Sequence, residues 1–133
     1  MIDGMIAGMA RDLVGEQQQP QDAEHKTETA YRSLCEGLPV LLRTAGLART
    51  VMFLAAKEKS GGEYKAILDH MQKQLTEAGI YSNAKEASLG LAVWATSRQR
   101  KTAEYRHVST LAFRVAYWHK RLAQALLRKK GEK

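Results

Sequence analysis

The sequence predicts an all-α fold, a compact bundle of five or six helices with a long C-terminal basic amphipathic helix. Three observations predict it. Good helix formers such as Ala, Leu, Gln, Glu, Lys and Arg dominate the chain. Only two prolines and two phenylalanines occur, and no run of alternating β-branched residues appears. In segment after segment, apolar residues recur at spacings of three and four, the signature of one buried helical stripe.

The first segment, from Ile2 to about Glu16, places Ile2, Met5, Ile6, Met9 and Leu13 on one side. Gln17–Asp22, with Pro20, reads as a linker. The chain therefore divides into an N-terminal amphipathic helix at 1–18, the most detachable element, and a helical domain at 19–133. A second helix starts near Ala23 and turns Ala30, Tyr31 and Leu34 inward before a break at Gly37-Leu38-Pro39. Pro39 suits the first turn of a new helix, where a missing N–H does no harm.

That new helix, Val40 to Lys59, is apolar on two sides. Leu41, Ala45, Ala48, Met52 and Ala55 make one row, and Leu47, Val51 and Leu54 another, which marks it as the central core helix. Gly46 within it costs about 1 kcal/mol relative to Ala, a cost that a close helix crossing would offset. Ser60-Gly61-Gly62 stops the helix. Tyr64, Ile67 or Leu68, Met71, Leu75 and Ala78 then define another, closed by Gly79. Asn83 and Glu86 form a capping box for a helix burying Ala87, Leu91 and Trp94. A basic turn from Thr96 to Thr102 leads into the last helix.

That helix carries two periodicities. Val108, Leu111, Val115, Trp118, Leu122 and Ala125 form an apolar stripe. Arg114, Arg121 and Arg128 recur at intervals of seven, continued upstream by His107 and Arg100, so this row keeps to one side. Arg106 and Lys120 fall further round, with Phe113 and Tyr117 between the two basic sets. One face packs, and the rest offers cations and aromatics.

Net charge is +7 and unevenly placed. Residues 1–30 carry a net −4, residues 31–97 a net +2 and residues 98–133 a net +9. An acidic start and a strongly basic end point to an anionic partner and to head-to-tail contact between copies. The lone cysteine, Cys35, forms no intrachain disulfide and fits a reducing cytosol. The opening segment is interrupted by Asp3, Arg11, Asp12 and Glu16, unlike a secretory signal. No stretch approaches the ~20 apolar residues of a membrane span, so a cytoplasmic protein without a membrane partner is expected.

Catalytic chemistry finds little support. The histidines at 25, 70, 107 and 119 include no i, i+4 pair and no adjacent cysteine, so no metal is expected. Asp69-His70 reads as exposed surface, because helix neighbours point ~100° apart. Cys35 reads as a small buried hydrophobe. Ser60-Gly61-Gly62-Glu63 lacks the spacing and lysine of a phosphate-binding loop. An enzyme is not expected, nor a cofactor, nor a small-molecule substrate. The cationic face has more to recommend it: Arg98, Arg100 and Lys101 cluster in the turn, and Arg106, Arg114, Lys120 and Arg121 project from the long helix. Arg43, Arg49 and Lys57 add cations to the central helix. Tyr117 and Phe113 could stack on bases, although Phe113 reads better as cover for a neighbouring helix. No base-reading pattern stands out, so contacts should go mainly to phosphates, with strong salt dependence.

Two blocks carry a family resemblance. Leu38 through Lys57, with proline before an apolar helix, then Gly46-Leu47, Phe53-Leu54 and Lys57, resembles the central helix of the small subunit of type III-B CRISPR (Cmr) effector complexes. Tyr105-Arg106 through Trp118-His119-Lys120-Arg121 resembles that family's closing helix. With the helices between, the resemblance spans about residues 24–127. Thr44-Ala45 stands where an asparagine is frequent in the family, and His119 where an aliphatic residue is commoner.

The resemblance implies a non-catalytic subunit of an RNA-guided antiviral complex. Its copies would stack along a filament of backbone subunits and offer a basic surface to guide and target RNA. Its partners would be the backbone and other subunits, neighbouring copies of itself, and the two RNAs. Arg106, Lys120 and Arg121 occupy the matching motif positions; Arg98, Arg100, Lys101 and Arg114 are added from charge geometry. A small subunit of a different CRISPR effector class and a free-standing helical DNA-binding regulator are the alternative readings.

Overall fold

The computed structural model describes residues 2–18, 26–77, 91, 95–96 and 102–129. Among the described residues there are four helices and no strand: α1 (Ile2–Gly15), α2 (Lys26–Ala56), α3 (Gly62–Glu77) and α4 (Thr102–Leu126). The all-α expectation holds. The capped helix expected after Asn83 lies outside the described residues except for Leu91 and Ala95, both helical and buried.

Helix α2 joins what the sequence divides. Its helix runs through Gly37-Leu38-Pro39, and the break falls instead at Gly46, with φ 85° and ψ 170°. Pro39 removes one N–H, a loss this long buried helix absorbs. The Gly46 conformation cannot be absorbed by any other residue, because that region is essentially closed to side chains with a Cβ. Among the described residues the close crossing expected at Gly46 is absent: a Cβ there would meet nothing within 4 Å. The glycine serves the backbone angle.

Three hydroxyls bond to the backbone on either side of the break, one of them to an N–H that the break leaves without a helical partner. Thr44 Oγ1 donates to the Val40 carbonyl at 2.9 Å, and Thr50 Oγ1 to that of Leu41 at 3.3 Å. Across the interface, the Tyr105 hydroxyl accepts the Ala48 N–H at 2.9 Å, capping the second half of α2 from the start of α4. We predict that Gly46→Ala costs about 1–3 kcal/mol of backbone strain. Urea unfolding should show a lower midpoint at unchanged m-value, and an unchanged midpoint would mean that the bend relaxes freely.

By length and composition, Thr27–Ala56 could cross a membrane, contrary to the sequence expectation. Yet Leu38, Leu47, Val51 and Leu54 are buried in the bundle core, and α2 packs on both α3 and α4. It is built as the core helix of this bundle. Val40, Met52 and Phe53 nevertheless remain exposed on it, so its apolar sector is only partly covered.

Helices α2 and α4 run antiparallel. At one end Tyr105 meets Ala48. At the other, Gln124 Nε2 donates to Glu36 at 3.2 Å, Arg32 donates to the Leu127 carbonyl at 3.1 Å, and Arg128 pairs with buried Glu28 at 3.3 Å. Helix α1 packs on α4 and α3 through Ile6, Ala10, Leu13 and Val14. Met5, expected inward, is exposed. In α3, Ile67, Leu68, Met71 and Leu75 are buried, as their spacing predicts.

Candidate nucleic-acid interface

The buried stripe of α4 is rotated from the one the large residues suggest. Val108, Leu111, Ala112, Val115, Ala116, His119 and Ala123 are buried, Trp118 and Leu122 are only partly so, and Ala125 is exposed. Three alanines and a histidine move the packed face, because small side chains let α1 and α2 approach. Arg106, Thr110, Arg114, Tyr117 and Arg121 are all exposed and fall within about 80° of one another at ~100° per residue. What read as two basic sets is one outward row.

Aromatic rings hold two of the cations. Arg121 Cζ lies over the Tyr117 ring at 5.4 Å, and Arg43 Cζ reaches from α2 over the Phe113 ring at 5.1 Å. Phe113 is half-buried against the core, so it covers its neighbours and carries a cation at once. Tyr117 is 41% exposed and meets Trp118 edge to face at 5.8 Å. Lys120 is half-buried at the margin of the row; Arg49 is exposed on α2, and Lys57 in the turn just after it. Arg98, Arg100 and Lys101 lie outside the described residues. Arg128 leaves the heptad row altogether, since its guanidinium pairs with Glu28.

Beneath this face lies a chain of polar groups that the sequence reading missed. His70, expected on the surface, is buried, and so are Tyr31, Gln74 and His119. Tyr31 Oη lies 2.7 Å from His70 Nδ1 and 3.1 Å from His119 Nδ1. Gln74 Oε1 meets His119 Nε2, while Gln74 Nε2 donates to the Ile6 carbonyl at 3.1 Å. A carbonyl only accepts, so the Gln74 amide faces one way and His119 carries its proton on Nε2. Its Nδ1 then accepts from the Tyr31 hydroxyl, and His70 Nδ1–H donates to the tyrosine oxygen. The chain His70–Tyr31–His119–Gln74–Ile6 joins all four helices. One signal for it was available: His70 and Gln74 are four apart and share the inward face of α3.

These groups are held neutral. Burial pushes His119 down to about 3, with the nearby His70 ring adding to the effect. Burial also lowers His70 and raises both Tyr31 and the Cys35 thiol. Cys35 is the small buried hydrophobe its sequence context suggests. Among the described residues, no three of His, Cys, Asp or Glu are grouped to hold a metal.

Neutral groups locked inside and cations aligned outside define a small helical bundle with a basic outer face. The chain belongs to the Cmr5 family of CRISPR-associated proteins, whose family model, described as CRISPR-associated protein (Cas_Cmr5), matches residues 7–126. The family is that of the type III-B small subunits. A Cmr5 family protein from Thermus thermophilus has a similar crystal structure, with TM-score 0.75 and 25% sequence identity over 95% of this chain and 97% of that one. No curated protein is similar enough in sequence to match. The family match begins inside α1, upstream of the two blocks that carry the sequence resemblance.

Proposed function

We propose that this protein is a non-catalytic, cytoplasmic structural subunit of an RNA-guided antiviral effector complex. Its copies stack along the backbone filament and present the α4 face to guide and target RNA. The observation that carries this reading is the exposed row Arg106, Arg114 and Arg121, interleaved with Tyr117, on the helix that closes the family match. Such a row offsets phosphate repulsion without reading bases. Lys120 borders this surface, and Arg98, Arg100 and Lys101, which precede α4 in sequence, are proposed to bind RNA with it. Arg43 borders it from α2, and Arg49 and Lys57 add RNA or subunit contacts.

Val40, Met52 and Phe53, exposed on α2, suit contact with another subunit. One subunit holds RNA weakly, and aligned copies gain through effective concentration. Tagged protein purified from its own cells should bring down a large multisubunit particle containing short guide RNAs. Recovery of the protein alone, or sequence-selective duplex DNA binding by the lone chain, would contradict the proposal and favour a free-standing regulator.

A further inference from the structure

The cation–aromatic pairs on the α4 face point to a more specific ligand than a wall of phosphates, an inference that rests on the RNA-facing role of this helix. We propose that Tyr117–Arg121 and Phe113–Arg43 are stacking platforms for the bases of an unpaired RNA strand.

A paired A-form duplex is recognised from outside through phosphates and 2′-hydroxyls, because its bases are already stacked on one another. Flexible, well-hydrated cations suffice for that. Here the cations are guanidiniums whose Cζ atoms lie over aromatic rings, 5.4 Å from the Tyr117 centroid and 5.1 Å from that of Phe113. Each pair brings together a ring and a guanidinium, and both groups stack on bases irrespective of sequence. Tyr117 is 41% exposed in the middle of the arginine row, so part of its ring is open to a ligand. It is also fixed, since its neighbour Trp118 packs on the core and meets it edge to face. A rigid platform loses little entropy when a base settles on it.

The spacing of the two platforms fits the same ligand. Phe113 and Tyr117 are four residues apart, a rise of about 6 Å along the helix. That exceeds the ~3.4 Å step of a stacked strand. Bases meeting both platforms are therefore drawn apart from each other, which an unpaired strand permits and a duplex does not. Arg106 and Arg114 flank the rings and take the intervening phosphates.

The test uses the full-length chain and three labelled RNAs of equal length: a homopolymer, the same backbone without bases, and a blunt duplex. Fluorescence anisotropy at low salt should show the homopolymer binding about 5- to 100-fold more tightly than the abasic strand. Tyr117→Ala should reduce that advantage, with Phe113–Arg43 still in place, while Tyr117→Phe should retain it. Equal binding of the homopolymer and the abasic strand, or duplex binding as tight as single-strand binding, would overturn the stacking proposal and leave a phosphate-only face. No binding of any RNA would overturn both.

Discussion

Replacing His119 with alanine should destabilise the protein by about 3–5 kcal/mol, a large part of the stability of a domain this size. The ring is 1% exposed at the centre of the bundle, so its loss opens a cavity that the packed helices fill poorly. It also strands the Gln74 carbonyl oxygen, at about 1–3 kcal/mol when buried without a partner, and takes from the Tyr31 hydroxyl one of its two partners, leaving His70. A leucine at the same position restores most of the volume and leaves the same two bonds unmade. Tyr31→Phe and His119→Leu together should therefore cost clearly less than the sum of the two single changes. Strict additivity in denaturant unfolding would mean that the two side chains do not act as one chain.

The same histidine makes the fold sensitive to acid. Its folded value is near 3, against about 6.5 when unfolded. Between those limits the unfolded chain holds a proton that the folded chain lacks, so stability rises with pH. From His119 alone, going from pH 6.5 to pH 5 should remove about 2 kcal/mol. His70, also lowered by burial, acts in the same direction. Glu16 and Asp69 oppose the lowering of His70, and Lys73 adds to it. Unfolding curves for the wild type and His119→Gln across this range would test the account. A slope that persists unchanged in the variant would place the acid sensitivity elsewhere.

What the sequence conveyed and what it hid follow from the kind of pattern each element carries. In α3, the recurrence of Ile67, Leu68, Met71 and Leu75 is strong, and these residues are buried as expected. Around Pro39 and Gly46 the local rules misplaced the break. Proline is the louder signal, but a long buried helix absorbs one missing N–H, whereas a glycine-only backbone angle cannot be read from composition. In α4, counting large apolar residues set the buried face about a quarter-turn off. Ala112, Ala116 and Ala123 decide where helices approach, and hydrophobicity scales give them little weight. His119 and His70 were hidden for a related reason: a polar side chain reads as surface unless its buried partners are known, and these partners come from other helices. The outward arginines were legible one by one. Their alignment with Tyr117 follows from spacing at ~100° per residue; that this side faces solvent, and that Arg128 turns to Glu28, emerged only from the packing.

The second large effect concerns the function. Arg106, Arg114 and Arg121 are exposed, so replacing all three with glutamate should spare the core while changing the charge of the face by roughly six units. Each phosphate contact on a single strand adds roughly 0.7 to the log–log salt slope, so losing three contacts should reduce that slope by about 2. Affinity near 0.1 M salt should fall on the order of a hundredfold, because like charge now meets the backbone. Helical content by circular dichroism and recovery of the variant with the particle would confirm that fold and assembly survive. The decisive measurement is target RNA binding by that purified particle at two salt concentrations, with wild-type or Arg106→Glu/Arg114→Glu/Arg121→Glu subunits. A large loss of affinity with a shallower salt dependence is the predicted result. Equal affinity and equal salt dependence in intact particles would show that RNA does not lie against α4.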